Sequence, residues 1–408
     1  MNRHLSGVAC GLASMMACAG SCVADTVTDW DAKATAVASS AALGEREVTI
    51  VDLAMFDAVN SIERRYQPYL GQVRITGPTS ADAAAASAAA TALEGLHPEA
   101  AATFKAALAE YLSHLDAAPE ALSSGVRLGA AVASRILEQR AHDGATATDS
   151  YRPKTRPGQY APTAVMVCST WPTMRPFALA SPSQFRPGPP PALKSREWAT
   201  DYNEIKELGS KTSNSRSVQQ TETARFWLMV GPQAYHPLAR QMVAERHLNL
   251  VDSARYMALF AVALTDAYIA VFDAKYHYEF WRPVTAIRNG DLNDNPAIER
   301  DATWQPLDNT PMHPEYPCAH CILSGAARVV LESLGQPLPE LSLTSPTAPG
   351  ITHRWSNLDD FTTEVANARI WAGFHYRSST RVGTAMGRQV GEYVAHTVMQ
   401  PVNETAQR

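Results

Sequence analysis

The chain has 408 residues, 46% of them apolar, a formal net charge of −5 and six cysteines. That is enough apolar material for a full core without a disulfide framework. No basic stripe points to nucleic acid, no long acidic tail points to a disordered arm, and no segment after the N-terminus reads as membrane-spanning.

Residues 1–24 read as a signal peptide. Arg3 and His4 supply a basic start, Leu5 to Ala19 is apolar and small, and "SCVADT" offers cleavage after Ala24. The predicted location is therefore periplasmic or secreted, in an oxidising compartment. The mature chain keeps Cys168, Cys318 and Cys321.

Helical spacing follows over Val48–Arg65, Ser80–Leu96, His97–Leu115 and Gly125–Gly144. Tyr151 to Leu193 is too rich in proline for a helix. Its Tyr160, Trp171, Phe177 and Phe185 favour an ordered crossing of the surface. Helices are predicted again at Ser195–Leu208, Gln219–Met229, Pro237–Asn249 and from Asp252 to about Tyr278. Others begin at Pro317, near Asp359 and over Arg381–Val398. The apolar run Tyr256–Phe272 falls short of the ~20 residues of a membrane span and contains Asp266, so it reads as a buried core helix. Strand alternation is scarce. The predicted fold is all-α, a helical bundle with a long Pro-rich irregular loop. The expected division is 25–194, an N-terminal helical region with that loop, and 195–408, a catalytic helical region, packed as one compact unit.

Three stretches carry chemistry. In "KYHYEFWRPVTAIR" Lys275 and Arg282 are seven apart, which on one helix places them on a shared face. In "HPEYPCAHC" (His313–Cys321) Pro317 reads as the first helical residue. The amides of Cys318, Ala319 and His320 would then form an anion cradle at a helix start. In "ARIWAGFHYR" Arg369 and His375 diverge by about 120° on a straight helix, so their convergence needs a break near Gly373 or arginine's reach. Each stretch alone has an ordinary structural explanation, such as a snorkelling cation or a core histidine. Together they supply three cations, helix-end amides and two histidines, which suits a tetrahedral oxyanion.

Other readings of the nonapeptide are weaker. Zinc at Cys318, His320 and Cys321 lacks a fourth ligand. Haem attachment needs histidine at 322, where Ile322 stands, and a thioredoxin-like pair needs a βαβ context. A disulfide between Cys318 and Cys321, or from Cys168 to either, stays open. Unbridged at a helix start, Cys318 would be a reactive thiol.

The order K-x6-R-P, P-[SC]-x-H, A-R-x3-G-x-H resembles the vanadium-dependent haloperoxidases, which share their site with the type 2 phosphatidic acid phosphatase (PAP2) superfamily. "AMFDAVNSIE", "RPFALASPSQFRPGPPPAL" and "FWRPVTAIR" resemble the soluble bacterial haloperoxidase-like branch. The resemblance implies that Lys275, Arg282 and Arg369, with Cys318 and Ala319, bind the oxygens of vanadate or phosphate. His375 would bond to the metal or attack phosphorus, His320 would be the acid/base, and His313 would line the halide and peroxide side. Lys275 would also polarise peroxide. Two departures stand out: Cys318-Ala319-His320 replaces Ser-Gly-His, and Ser379 stands where an aspartate often orients the second histidine. Asp266 or Asp273 could substitute there.

The expected function is a vanadate-dependent haloperoxidase oxidising halide with peroxide. A soluble phosphomonoesterase working through a phosphohistidine, with no cofactor, is the alternative. A catalytically lapsed oxyanion-binding protein is the second alternative. The partners implied are small molecules, with a homodimer expected from the resemblance alone.

Overall fold

The computed structural model describes residues 25–38 and 41–402. The predicted signal peptide lies outside the described residues. Among those residues there are thirteen α-helices and one two-stranded sheet, the all-α bundle that the periodicity predicts.

The N-terminal half opens with α1 (Thr26–Val37), which the sequence reading leaves unassigned. Asp25 caps it by accepting the Thr28 N–H at 2.8 Å, and Trp30 and Ala34 are buried. Then come α2 (Ala41–Glu63), α3 (Ala81–Leu96), α4 (Ala101–Ser113) and α5 (Pro119–Arg140). Ser80 caps α3, and its alanine face lets α5 approach so closely that a Cβ on Gly129 would stand 2.3 Å from the Ala84 carbonyl oxygen. Small residues act here as backbone spacers.

The Pro-rich stretch is irregular apart from one short turn, and it is ordered by burial of Tyr160, Trp171 and Phe177. It is strapped to the long helix α9 (Leu250–Tyr278). The Asp266 carboxylate accepts the backbone N–H groups of Phe177, Ala178 and Leu179 at 2.7, 2.7 and 2.9 Å. Further along, Arg186 pairs with Asp273 through two bonds of 2.7 Å.

After the loop come α6 (Arg196–Leu208), α7 (Val218–Phe226) and α8 (His236–Glu245), leading into α9. By length and apolar composition α9 could cross a membrane, but its most apolar stretch is wholly buried by the other helices. Next are α10 (Pro283–Arg288), α11 (Ala319–Glu332), α12 (Leu358–Trp371) and α13 (Arg377–Thr397). One apolar cluster runs from Val27 to Met399, so both halves share a core. A hairpin of β1 (Leu341–Ser345) and β2 (Ala348–Trp355) pairs Leu341 with Trp355. The sequence reading does not anticipate this hairpin, because its alternation of buried and open positions covers only five residues of β1.

Candidate active site

Three chain breaks build the site. The first ends α9. Glu279 turns into the left-handed region (φ 50°) and its N–H closes on the Lys275 carbonyl at 2.8 Å. Lys275 is therefore in the last turn of α9, while Arg282 is the N-cap of α10. The single-helix placement of this pair is thus corrected: Pro283 starts a new helix, and the turn brings the two side chains together. The second break is the start of α11, where Cys318 is the N-cap and Ala319 the first helical residue, so Pro317 lies outside the helix. The third follows α12. Gly373 adopts φ 79°, a conformation that a side chain disfavours, and the chain turns back to bring His375 beside Arg369.

Lys275, Arg282, Arg369, His320 and His375 come together in one buried group, with no side chain more than 8% exposed. Lys275 Nζ donates to the carbonyls of Pro314 (3.0 Å) and Glu315 (2.8 Å), leaving one donor. Arg282 donates to the His313 carbonyl (2.8 Å), the Phe374 carbonyl (2.9 Å), His375 Nε2 (3.2 Å) and His313 Nδ1 (3.0 Å). A guanidinium only donates, so the proton of His313 sits on Nε2. Arg369 donates to the Trp227 carbonyl and lies over the Phe374 ring at 4.9 Å, but its Nε is buried without a partner.

The two histidines have fixed tautomers. His375 Nδ1 is 2.8 Å from Glu315 Oε1, which also accepts the Tyr376 N–H at 3.1 Å. Nδ1 therefore carries the proton and Nε2 the lone pair. His320 Nε2 lies 3.0 Å from the Met229 carbonyl, which can only accept, so Nδ1 is the free basic atom.

Glu315 takes the orienting place for which Asp266 and Asp273 are the candidates in the sequence. Both aspartates are committed to the Pro-rich loop, one through backbone amides and the other through Arg186. The signal was within the nonapeptide, where Glu315 is the only acidic residue. The Ser379 hydroxyl lies against the Glu315 carboxyl and helps lower its pKa.

Electrostatics set the protonation states. Burial, then the neighbouring cations, push His375, His320 and His313 well below the ordinary histidine value, so the rings are neutral. Burial followed by Arg282 pushes Lys275 well down. Burial lowers Arg282 to about 10 and Arg369 to about 9. Burial lifts Glu315 to about 7 against the pull of Lys275 and Arg282. Two guanidinium cations and the Lys275 amine thus face one weak carboxylate in a low-dielectric interior, an imbalance that favours a bound anion, which would also hold the proton on Lys275.

Cys318 does not play its expected part. It forms a disulfide with Cys321 (Cα–Cα 5.3 Å), and its N–H goes to the Ser379 carbonyl at 3.3 Å. Neither its sulfur nor its amide is available to an oxyanion, and the bridge removes both the thiolate ligands for zinc and the reactive thiol. Ala319 and His320 keep first-turn amides, which have no acceptor inside their own helix. Among the described residues Cys168 is the free thiol, and burial raises it to about 12, so it is inert near neutrality.

Fold and site together define a helical bundle with a buried cluster of basic side chains flanked by two neutral histidines. Residues 255–404, which contain all three motifs, match the family described as the VCPO second helical-bundle domain. The vanadium chloroperoxidase of Curvularia inaequalis is 30% identical over 171 residues, covering 34% of this chain and 27% of that protein. The chain thus spans about a quarter of the length of the curated relative it matches. A bacterial vanadium-dependent iodoperoxidase structure superposes with a TM-score of 0.77 at 23% identity, covering 93% of this chain and 96% of its own. An apo-type bacterial vanadium-dependent chloroperoxidase gives 0.71 at 17%, covering 87% of this chain and 94% of its own. Residues 255–404 are thus similar to the second helical bundle of the vanadium chloroperoxidases, and the chain shares its fold with the bacterial vanadium haloperoxidases.

Proposed function

We propose that the protein is an exported vanadate-dependent haloperoxidase that oxidises a halide with hydrogen peroxide. The observation that carries this is the convergence of Lys275, Arg282, Arg369, His320 and His375, with a buried arginine Nε left without a partner. The donor set fits vanadate. The third hydrogen of Lys275, the unpartnered Nε of Arg369 and the amides of Ala319 and His320 would hold its oxygens, and His375 Nε2 would be the single protein ligand to the metal. Bound vanadate supplies Lewis-acid activation of peroxide without a change of oxidation state.

The other residues prepare this site. Glu315 fixes the His375 proton on Nδ1 and keeps the ring aimed, as carboxylates do behind metal-bound imidazoles. Arg282, now shared between His375 Nε2 and three other acceptors, would turn its Nη1 to an anion oxygen when Nε2 is taken. His320 Nδ1, neutral and facing the cation group, would accept a proton from incoming peroxide and return it to the departing oxygen. His313 is half-buried at the edge of the group, where it would meet halide. The Cys318–Cys321 bridge supports the oxidant-producing reading, because a disulfide resists the product better than a thiolate does.

The test is bromination or iodination of a phenol-type dye with peroxide, with and without vanadate, alongside hydrolysis of a chromogenic phosphate. Halogenation that needs vanadate and drops at least roughly 100-fold in His375→Ala is expected, since a direct metal ligand is lost. Phosphate hydrolysis inhibited by vanadate would replace this reading with the phosphomonoesterase. Absence of both activities would leave only an oxyanion-binding protein.

A further inference from the structure

A second buried polar group lies apart from the oxyanion cradle and joins three helices. Asp31 on α1, Glu45 and Asp52 on α2, and His236 at the start of α8 are all 0% exposed. His236 Nδ1 is 2.6 Å from Asp31 Oδ1, and its Nε2 is 2.8 Å from Glu45 Oε1. Arg240 donates to the other oxygen of Asp31. Asp52 points into this group with both carboxylate oxygens buried and no donor from another residue type to either, and its carboxyl lies against that of Asp31, close enough to share a proton or an ion. Three carboxylates face one permanent cation, and a buried carboxylate with no donor to either oxygen is a rare arrangement in a folded protein.

One oxygen each from Asp31 and Asp52 and a ring nitrogen of His236 lie within 4.8 Å of one another. We propose that Asp31, Asp52 and His236 bind a divalent transition-metal ion of the zinc or manganese class, which pins α1, α2 and α8 together. Asp31 Oδ1 and His236 Nδ1 now stand 2.6 Å apart in a hydrogen bond, and ligands at roughly 2.0–2.2 Å from one ion sit about 3.0–3.4 Å apart when adjacent, so an ion would replace the shared proton and spread this pair by roughly half an ångström. His236 binds as the neutral ring through Nδ1 and donates Nε2–H to Glu45, the carboxylate–imidazole–metal arrangement that fixes a ligand's tautomer. Arg240 holds the far oxygen of Asp31. The ion and Arg240 together then balance the three carboxylates. Calcium and magnesium prefer all-oxygen sets, so the imidazole selects the transition metals. With no access to solvent, the ion is structural. Its influence reaches the cradle, because Tyr235, next to His236, donates its hydroxyl to the His320 carbonyl at 3.1 Å.

The full mature chain would be stripped with a chelator and then given zinc or manganese, each alone and without vanadate. After gel filtration, about one ion per chain by plasma emission and a raised melting temperature are expected. Anomalous diffraction at the metal edge should give a peak between Asp31, Asp52 and His236. Asp52→Asn is expected to weaken metal binding by about 10-fold or more. If that variant does not fold, the anomalous peak in the unaltered chain decides. An ion bound elsewhere, equal retention by Asp52→Asn, or no ion and no change in melting temperature would overturn the proposal. The last result would leave an imidazolium shared by Asp31 and Glu45, with a proton kept on Asp52.

Discussion

Glu315 is the residue on which the protonation state of the site turns. Its folded pKa is about 7 against an ordinary 4.5, raised first by burial. The folded protein therefore holds a proton on Glu315 between those values that the unfolded chain releases. Its stabilising contribution is complete below 4.5 and is lost as pH rises through about 7. The same ionisation serves the site, because only the carboxylate both accepts from His375 Nδ1–H and offsets the cations around it. Because the carboxylate makes His375 Nε2 more basic, kcat/KM at saturating vanadate is expected to rise with pH through about 7. In Glu315→Gln the acceptor remains but the charge does not. Activity should fall roughly 10- to 100-fold, and the acid limb should disappear from a pH profile taken at saturating vanadate. An unchanged limb would assign that titration to another group.

At the scale of the element, the site depends on α11 and α13 lying almost backbone to backbone. A Cβ on Gly387 would come within 2.0 Å of the Ile322 carbonyl oxygen and 2.9 Å of the Ala326 nitrogen, and one on Gly383 would meet the Cys318 oxygen at 2.6 Å. Gly387→Ala is expected to lower unfolding stability by about 1–3 kcal/mol through overpacking, read as a shift in the urea midpoint. Gly383 sits one helical turn nearer the cradle and packs against Cys318. Gly383→Ala should therefore also weaken vanadate binding, measured by titration, whereas Gly387→Ala should act mainly on stability. The Cys318–Cys321 bridge encloses Ala319 and His320, the two residues whose first-turn amides remain available. It locks the turn that a serine would otherwise only cap.

For the whole molecule, the cation group is a folding liability that an anion relieves. A ligand bound only by the folded state stabilises by about 2.7 kcal/mol at 100 times its Kd. Vanadate is therefore expected to raise the melting temperature, to do so less as salt screens the cations, and to have little effect on Arg369→Ala. Calorimetry of the three samples checks this, and equal shifts in Arg369→Ala would place the anion elsewhere. Sequence reading recovers the bundle well, because the helices bury long periodic faces in a core running from Val27 to Met399. It misses the β1–β2 hairpin, which is too short for alternation to stand out, and α1, which is held by Asp25 capping and the burial of Trp30. By itself the sequence determined the helical class and the identity of the five charged or imidazole side chains, since spacing and residue type are local properties. Only the tertiary structure decided that Lys275 and Arg282 meet across a turn, that Glu315 orients His375, and that Cys318 is spent in a disulfide. Those outcomes depend on which carbonyls and carboxylates compete for each donor in the buried interior, and that competition is settled only once the helices have packed.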